Sequence, residues 1–106
     1  MYNTNMKENN LKTTIENCTK EIEKRVSTPE QDVMRLSTLF FQMHFVSNEE
    51  LKDSYVPLLR FSRALRLRAE ETHNDEDIEF VEQLLVELHH AFEECLVISH
   101  YKDALN

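Results

Sequence analysis

The chain of 106 residues contains no glycine, and this absence limits its possible folds more than any other feature of the sequence. Glycine forms phosphate-binding loops, dinucleotide fingerprints and many of the tight turns that connect β-strands. A chain without glycine therefore lacks the usual means of building a hairpin-rich sheet or a doubly wound α/β fold. Only two prolines interrupt the sequence. Together these features predict an all-α protein.

The length and composition predict a single helical domain over residues 1–106, with residues 1–5 as a frayed end. Hydrophobic residues make up 41% of the chain and charged residues 30%, a mixture typical of globular proteins rather than disordered ones. A domain of this size buries a smaller share of its surface than a large domain does. We therefore expect a modest core.

Start signals divide the chain into helices. Capping boxes begin at Thr28 and Ser47, and Asn74 is followed by three acidic residues that suit the first turn of a helix. Pro57 removes a backbone donor, which predicts that the third helix is kinked or broken there, into 48–55 and 57–72. Short connections favour an antiparallel up-down four-helix bundle. The predicted helices are helix 1 over 6–26, helix 2 from Thr28 to Phe45, helix 3 over 48–72 and helix 4 over 74–102.

Helix 2 is apolar around most of its circumference. Nine of the 14 residues from 33 to 46 are apolar, and at about 100° per residue they spread over several faces. A helix of this kind is buried on more than one side, and in so small a domain another chain would have to cover the second side. Helix 1 carries only a narrow apolar stripe. The predicted protein interface comprises Leu39, Phe40, Phe41, Met43 and Phe45 of helix 2 and Leu11, Ile15 and Ile22 of helix 1.

This apolar surface predicts a non-catalytic role for the protein. We expect a small intracellular regulator, adaptor or inhibitor, for example an immunity- or antitoxin-like protein, that acts as a homodimer or with a larger protein partner. The net charge of -8 argues against nucleic acid as the partner. We expect no catalytic residue, cofactor, metal or small-molecule substrate, because no motif for any of them stands out.

The sequence also predicts a cytoplasmic location. Residues 1–26 are polar and charged and lack the apolar core of a signal peptide. No apolar run reaches the roughly 18 residues that a membrane-spanning helix needs. Cys18 and Cys95 lie far apart and belong to no paired motif, so a reducing compartment suits them better than a disulfide.

Arginines are concentrated in helix 3, within an otherwise acidic chain. Arg60, Arg63, Arg66 and Arg68 fall within nine residues. The first three form a predicted charged contact patch, which could bind an acidic peptide, a phosphate or a nucleic acid. The alternative is that these arginines pair with the acidic flank of helix 4, since charge clusters are usually solvated faces.

An enzymatic alternative comes from Arg68 and His73. Their spacing resembles the R-x4-6-H motif of the all-α HEPN ribonuclease family, over six residues. The resemblance implies an RNA-cleaving enzyme, usually dimeric, in which Arg68 and His73 handle the scissile phosphate. Ala69 follows Arg68, where the family prefers a polar residue, and the acidic net charge does not suit a ribonuclease.

A third alternative is a metal-dependent sensor. His89 and Glu93 are four residues apart and, with His100, fall in one column of helix 4. Two ligands at this spacing can bind one divalent metal ion, but further ligands would have to come from another helix or chain. Hydrogen bonds to neighbours or water are the simpler interpretation of these side chains.

Overall fold

The computed structural model describes the backbone of residues 10–105 and the side chains of residues 10–98. The predicted frayed residues 1–5 and the predicted first residues of helix 1 lie outside this range. Over the described range the regular structure is entirely helical, which confirms the all-α prediction. The five helices are α1 (Leu11–Lys24), α2 (Pro29–Met43), α3 (Asn48–Asp53), α4 (Tyr55–Glu70) and α5 (Asp75–Leu105).

Side-chain caps mark the starts of α1, α2 and α3. The Thr28 side chain accepts a hydrogen bond from the Gln31 amide, and the Gln31 side chain accepts one from the Thr28 amide, so the predicted capping box forms. Ser47 caps α3 by accepting from the Glu50 amide at 3.2 Å. Asn10 is extended and its side chain accepts from the backbone amide of Thr13 at 2.8 Å, so α1 begins later than predicted.

The predicted break in the third helix is confirmed, but it lies at Ser54, three residues before Pro57. In a continuous helix, Pro57 could not donate to the carbonyl of Asp53, and its ring would clash with that carbonyl. Restarting the helix at Tyr55 places Pro57 in the first turn of α4. Backbone amides of a first turn have no intrahelical acceptor, so the missing donor is not needed there.

Two residues in the turns that follow helices adopt the left-handed backbone region. Arg25 follows α1 with φ 57°, and His73 lies three residues after the end of α4 with φ 54°. Glycine usually occupies such positions because a Cβ atom makes this conformation unfavourable. Because the chain has no glycine, residues with a Cβ atom occupy these left-handed positions.

Helix packing differs from a simple up-down arrangement. α1 packs most extensively against α4, and α5 packs against α2, α3 and α4. α1 and α4 run in the same direction, since Glu16 and Val56 line one hollow and Arg25 binds Glu71 just after the ends of both helices. An up-down bundle places helices of the same direction on its diagonal rather than side by side. The predicted antiparallel four-helix bundle is therefore not confirmed.

One apolar core joins all five helices. None of the helices, over the residues described, combines the length and hydropathy that crossing a membrane requires. The largest fully buried apolar side chains are Leu11, Ile15, Ile22, Leu39, Met43, Leu51, Leu58, Phe61, Leu65, Leu88 and Phe92.

Candidate protein-docking surface

Most of the predicted interface is buried inside the chain. The stripe of α1 packs against α4, and one face of α2 packs against α1 and α5. Each of the five buried residues is at most 1% exposed, so the prediction that they contact a partner is wrong. The physical reason is that α4 covers the narrow stripe of α1 within the same chain. The residues corrected in this way are Leu11, Ile15, Ile22, Leu39 and Met43.

The other three predicted residues lie in the last turn of α2 or just after it, and they are less buried. Phe40 is half-buried and packs against the core. Phe41 and Phe45 are 68% and 73% exposed, although both are large and apolar. Their ring centroids lie 4.8 Å apart, and the ring planes are tilted by 48°. These two rings form an aromatic pair on the solvent side of the helix.

Met34 extends this surface by two turns towards the start of α2. It is 69% exposed and lies seven residues before Phe41, which places both on one side of the helix. Met34 is one of the nine apolar residues of helix 2 noted in the sequence, but it was not among the predicted interface residues. We define the α2 outer surface as Met34, Phe41 and Phe45. Ser37 and Thr38, which are exposed between them, carry no charge.

The α2 outer surface can contribute substantial binding energy. Complete burial of one phenylalanine side chain stabilises a complex by about 1.5–3 kcal/mol relative to leaving it in water. Aromatic and methionine side chains are enriched at the centres of protein interfaces, where charged residues are depleted. The chemistry of this surface therefore suits an apolar protein groove.

The predicted charged contact patch is exposed. Arg60, Arg63 and Arg66 all face solvent on α4. The Nε atom of Arg60 lies 3.8 Å from a carboxylate oxygen of Glu23 on α1. The ion pairs found among residues 10–98 include none for Arg63 or Arg66. The alternative prediction that the patch pairs with helix 4 is thus not what the structure shows.

Arg68 belongs to a buried polar cluster that sequence reasoning missed. Its side chain is only 14% exposed, and Nη1 lies 3.7 Å from the carboxylate of Asp32, which is completely buried. Nη2 donates to the backbone carbonyl of Ser27 at 2.8 Å, and the Ser27 hydroxyl donates to Asp32. One signal was available: Asp32 lies four residues before Leu36, within the buried stripe of α2.

This cluster bears on the HEPN-like alternative. The guanidinium of Arg68 is directed at Asp32 and Ser27, where it joins α4 to the connection between α1 and α2. His73 is exposed and lies in the turn after α4. The guanidinium of Arg68 is thus engaged by groups of the same chain, and the structure brings no contact between Arg68 and His73 among the described hydrogen bonds and ion pairs.

The histidines of α5 do not form a metal site with the side chains described. The Nε2 atom of His89 lies 2.9 Å from the hydroxyl of Ser62, so the two groups share a hydrogen bond. Among residues 10–98, no group of three or more His, Cys, Asp or Glu side chains is placed to hold a metal ion. His100 lies outside the described side chains.

Both cysteine thiols are free and partly or largely shielded from water. Burial raises the pKa of Cys18 above its ordinary value; Glu21 and Asp32 add to the rise and Arg35 opposes it. Burial, assisted by Glu94, also raises the pKa of Cys95. A thiol with a raised pKa is a weak nucleophile at neutral pH, because the thiolate is the reactive form.

In comparisons with known proteins, no family model matches the chain, and no curated protein or solved structure shows significant similarity to it.

Proposed function

We propose that this protein is a non-catalytic protein-binding module, acting as a small regulator, adaptor or inhibitor such as an immunity- or antitoxin-like protein. Its binding element is the α2 outer surface, formed by Met34, Phe41 and Phe45. The observation that carries the proposal is the exposed pairing of Phe41 with Phe45, on a helix whose opposite face already fills the core. Clustered exposed aromatic residues mark interaction sites in soluble proteins.

The surface fits an apolar groove on a larger partner protein. Met34 and Phe41 lie on one side of α2, about 10 Å apart along the helix axis. Phe45 follows just after the end of the helix, with its ring against that of Phe41. A helix that lays an apolar ridge into a groove uses anchors at this kind of spacing. In a symmetric dimer built on this surface, the second copy would place its own convex ridge there, which covers a ridge less completely than a groove does.

The test is a pull-down experiment in which three forms of the purified full chain serve as bait. These are the wild type, the double variant F41S/F45S, and a control, V86S/V97S, which removes two exposed apolar residues from α5. We expect one partner protein to be retained by the wild type and the control and lost by F41S/F45S. Replacing Phe41 with a photo-crosslinking benzoylphenylalanine then identifies the groove by mass spectrometry.

Urea unfolding of each variant is the control, because it shows whether a loss of binding comes from a loss of folding. An unchanged set of bound proteins for F41S/F45S would contradict the proposal. Light scattering provides a further check on the occupant. A wild-type dimer that becomes a monomer in F41S/F45S would show that a second copy, and not a larger partner, covers the α2 outer surface.

A further inference from the structure

A groove lies between α1 and α4, on two helices that run side by side in the same direction. Two adjoining hollows of about 230 and 350 Å³ follow it, and both are lined by Glu23 and Arg60. The first hollow continues towards Val56 and Pro57, the second towards Arg63 and beyond. We call this feature the α1/α4 groove.

The α4 wall of the groove combines apolar ends with a basic middle. Val56, Arg60, Arg63 and Leu67 follow one another at intervals of four, three and four residues, so they share one face of the helix. Val56 and Leu67 are large apolar residues that remain exposed. The face extends for about 17 Å, enough for three turns of a bound helix.

Two of the arginines around the second hollow have their charges satisfied within the chain. Arg25 binds Glu71, and Arg68 lies against the buried Asp32. These two guanidinium groups therefore contribute little attraction for an incoming anion.

Arg60 and Arg63, together with the exposed Lys20 of α1, provide the positive charge of the groove. Arg60 faces Glu23 at 3.8 Å with both side chains well exposed, and Arg63 has no ion pair among the side chains of residues 10–98. An exposed ion pair contributes at most about 1 kcal/mol, so a ligand carboxylate can displace Glu23. The molecule thus holds two available guanidinium groups beside apolar surface, in a chain whose net charge is -8.

We propose that the α1/α4 groove binds an acidic peptide segment of a protein partner. Carboxylates of the segment pair with Arg60 and Arg63, because guanidinium groups bind carboxylates through two parallel hydrogen bonds. An apolar residue of the segment packs on Leu67 and Ala64, which line the same hollow.

Charge and apolar surface favour a peptide over a nucleic acid. Glu16 and Glu23 line the groove beside its basic residues, and a phosphate backbone, which carries a charge at every nucleotide, would place some of its charges against these carboxylates. The carboxylates of a short acidic peptide are separated along its chain. Apolar side chains of the peptide that lie between these carboxylates can pack against the apolar ends of the groove.

The inference goes beyond the proposed function, because the groove and the α2 outer surface belong to different helices. α2 and α4 both pack against α1 and α5, and each turns its buried face inward. None of the three residues of the α2 outer surface lines either hollow of the groove, so the two surfaces are distinct. A protein with both surfaces can hold two partners at once, as an adaptor does.

Fluorescence anisotropy tests the groove with the full chain and two labelled helical peptides of about twelve residues. One peptide carries glutamates with leucines every third or fourth residue, and the other replaces every glutamate by glutamine. We expect the acidic peptide to bind at least about tenfold more tightly at low salt, and to lose this advantage as salt screens the charges.

Variants then locate the binding site. R60E/R63E should weaken binding of the acidic peptide by at least about tenfold. R66E serves as the matched control, because Arg66 is also exposed on α4 but does not line the groove. Equal affinity for the two peptides, or equal effects of R60E/R63E and R66E, would overturn the inference.

Other outcomes would show that the groove is not the site of the acidic peptide, and they would leave the proposed function unaffected. If F41S/F45S abolishes peptide binding and R60E/R63E does not, the peptide binds the α2 outer surface instead. A labelled RNA oligonucleotide that binds more tightly than the acidic peptide, and is released by R60E/R63E, would assign the groove to nucleic acid. A dimer that R60E/R63E dissociates would assign it to a second copy.

Discussion

The guanidinium of Arg68 lies 3.7 Å from the carboxylate of Asp32, and Asp32 has no exposed surface. The same guanidinium donates to the carbonyl of Ser27 at 2.8 Å and approaches that of Ile22 at 3.5 Å. One arginine therefore connects the end of α1, the following turn and the start of α2 to α4. The Oδ2 atom of Asp32 has no hydrogen-bond donor in the described part of the chain, so it depends on the charge of Arg68.

Replacing Arg68 by methionine should lower the free energy of unfolding by about 3–5 kcal/mol, because the substitution leaves a buried carboxylate without its counter-charge. Urea denaturation measures the change. The control is Arg66→Met on the exposed side of α4, which should stay within about 0.5 kcal/mol. The further change Asp32→Leu in the Arg68→Met background should recover part of the loss. Equal effects of the two arginine substitutions would show that the buried pair does not stabilise the fold.

Replacing His73 by glycine should raise the free energy of unfolding by about 1 kcal/mol, because His73 has φ 54° and glycine adopts this conformation without a Cβ clash. In a domain of this size the melting temperature should rise by about 4–8 °C. His44→Gly is the matched control, since His44 also follows a helix but has φ -80°. That variant should gain nothing, and a comparable rise in both would refute the explanation.

Truncation on the two faces of α2 should lower the free energy of unfolding by very different amounts. Leu39→Ala should lower the free energy of unfolding by about 2–5 kcal/mol, since Leu39 is fully buried and its loss leaves a cavity. Phe41→Ala removes a larger side chain but should cost less than about 1 kcal/mol, because Phe41 contacts mainly water and Phe45. Thermal or urea unfolding of both variants provides the comparison. A larger loss for Phe41→Ala would mean that its ring supports the core.

Alkylation of Cys18 and Cys95 by iodoacetamide should be slow at neutral pH and should accelerate as the pH rises. Burial raises the pKa of both thiols, so the folded chain holds these protons more tightly than the unfolded chain does. The resulting stabilisation is present below the unfolded pKa of about 8.5 and is lost as the pH rises through the raised folded pKa. Mass spectrometry follows the modification, with urea-unfolded protein as the reference. Equal rates in the two states would contradict the raised pKa.

The sequence by itself determined the class of fold and most helix starts. These features depend on contacts between near neighbours in the chain. Thr28 and Ser47 cap helices through amides three residues away, and Pro57 acts on the carbonyl four residues before it. The lack of glycine acts in the same local way, by removing the residue that tight turns require. Such signals can be read without knowing which helices pack together.

Only the tertiary structure decided which apolar residues face the core. Leu39 and Phe41 are both large apolar residues of the same helix. The side chain of Leu39 is fully buried, whereas that of Phe41 is mostly exposed. Burial of apolar surface has no preferred direction, so the neighbours of a helix select the face that is covered. The packing of α1 against α4 and the pairing of Asp32 with Arg68 join residues distant in the chain. No periodicity within one helix specifies such contacts, and they leave the α2 outer surface exposed.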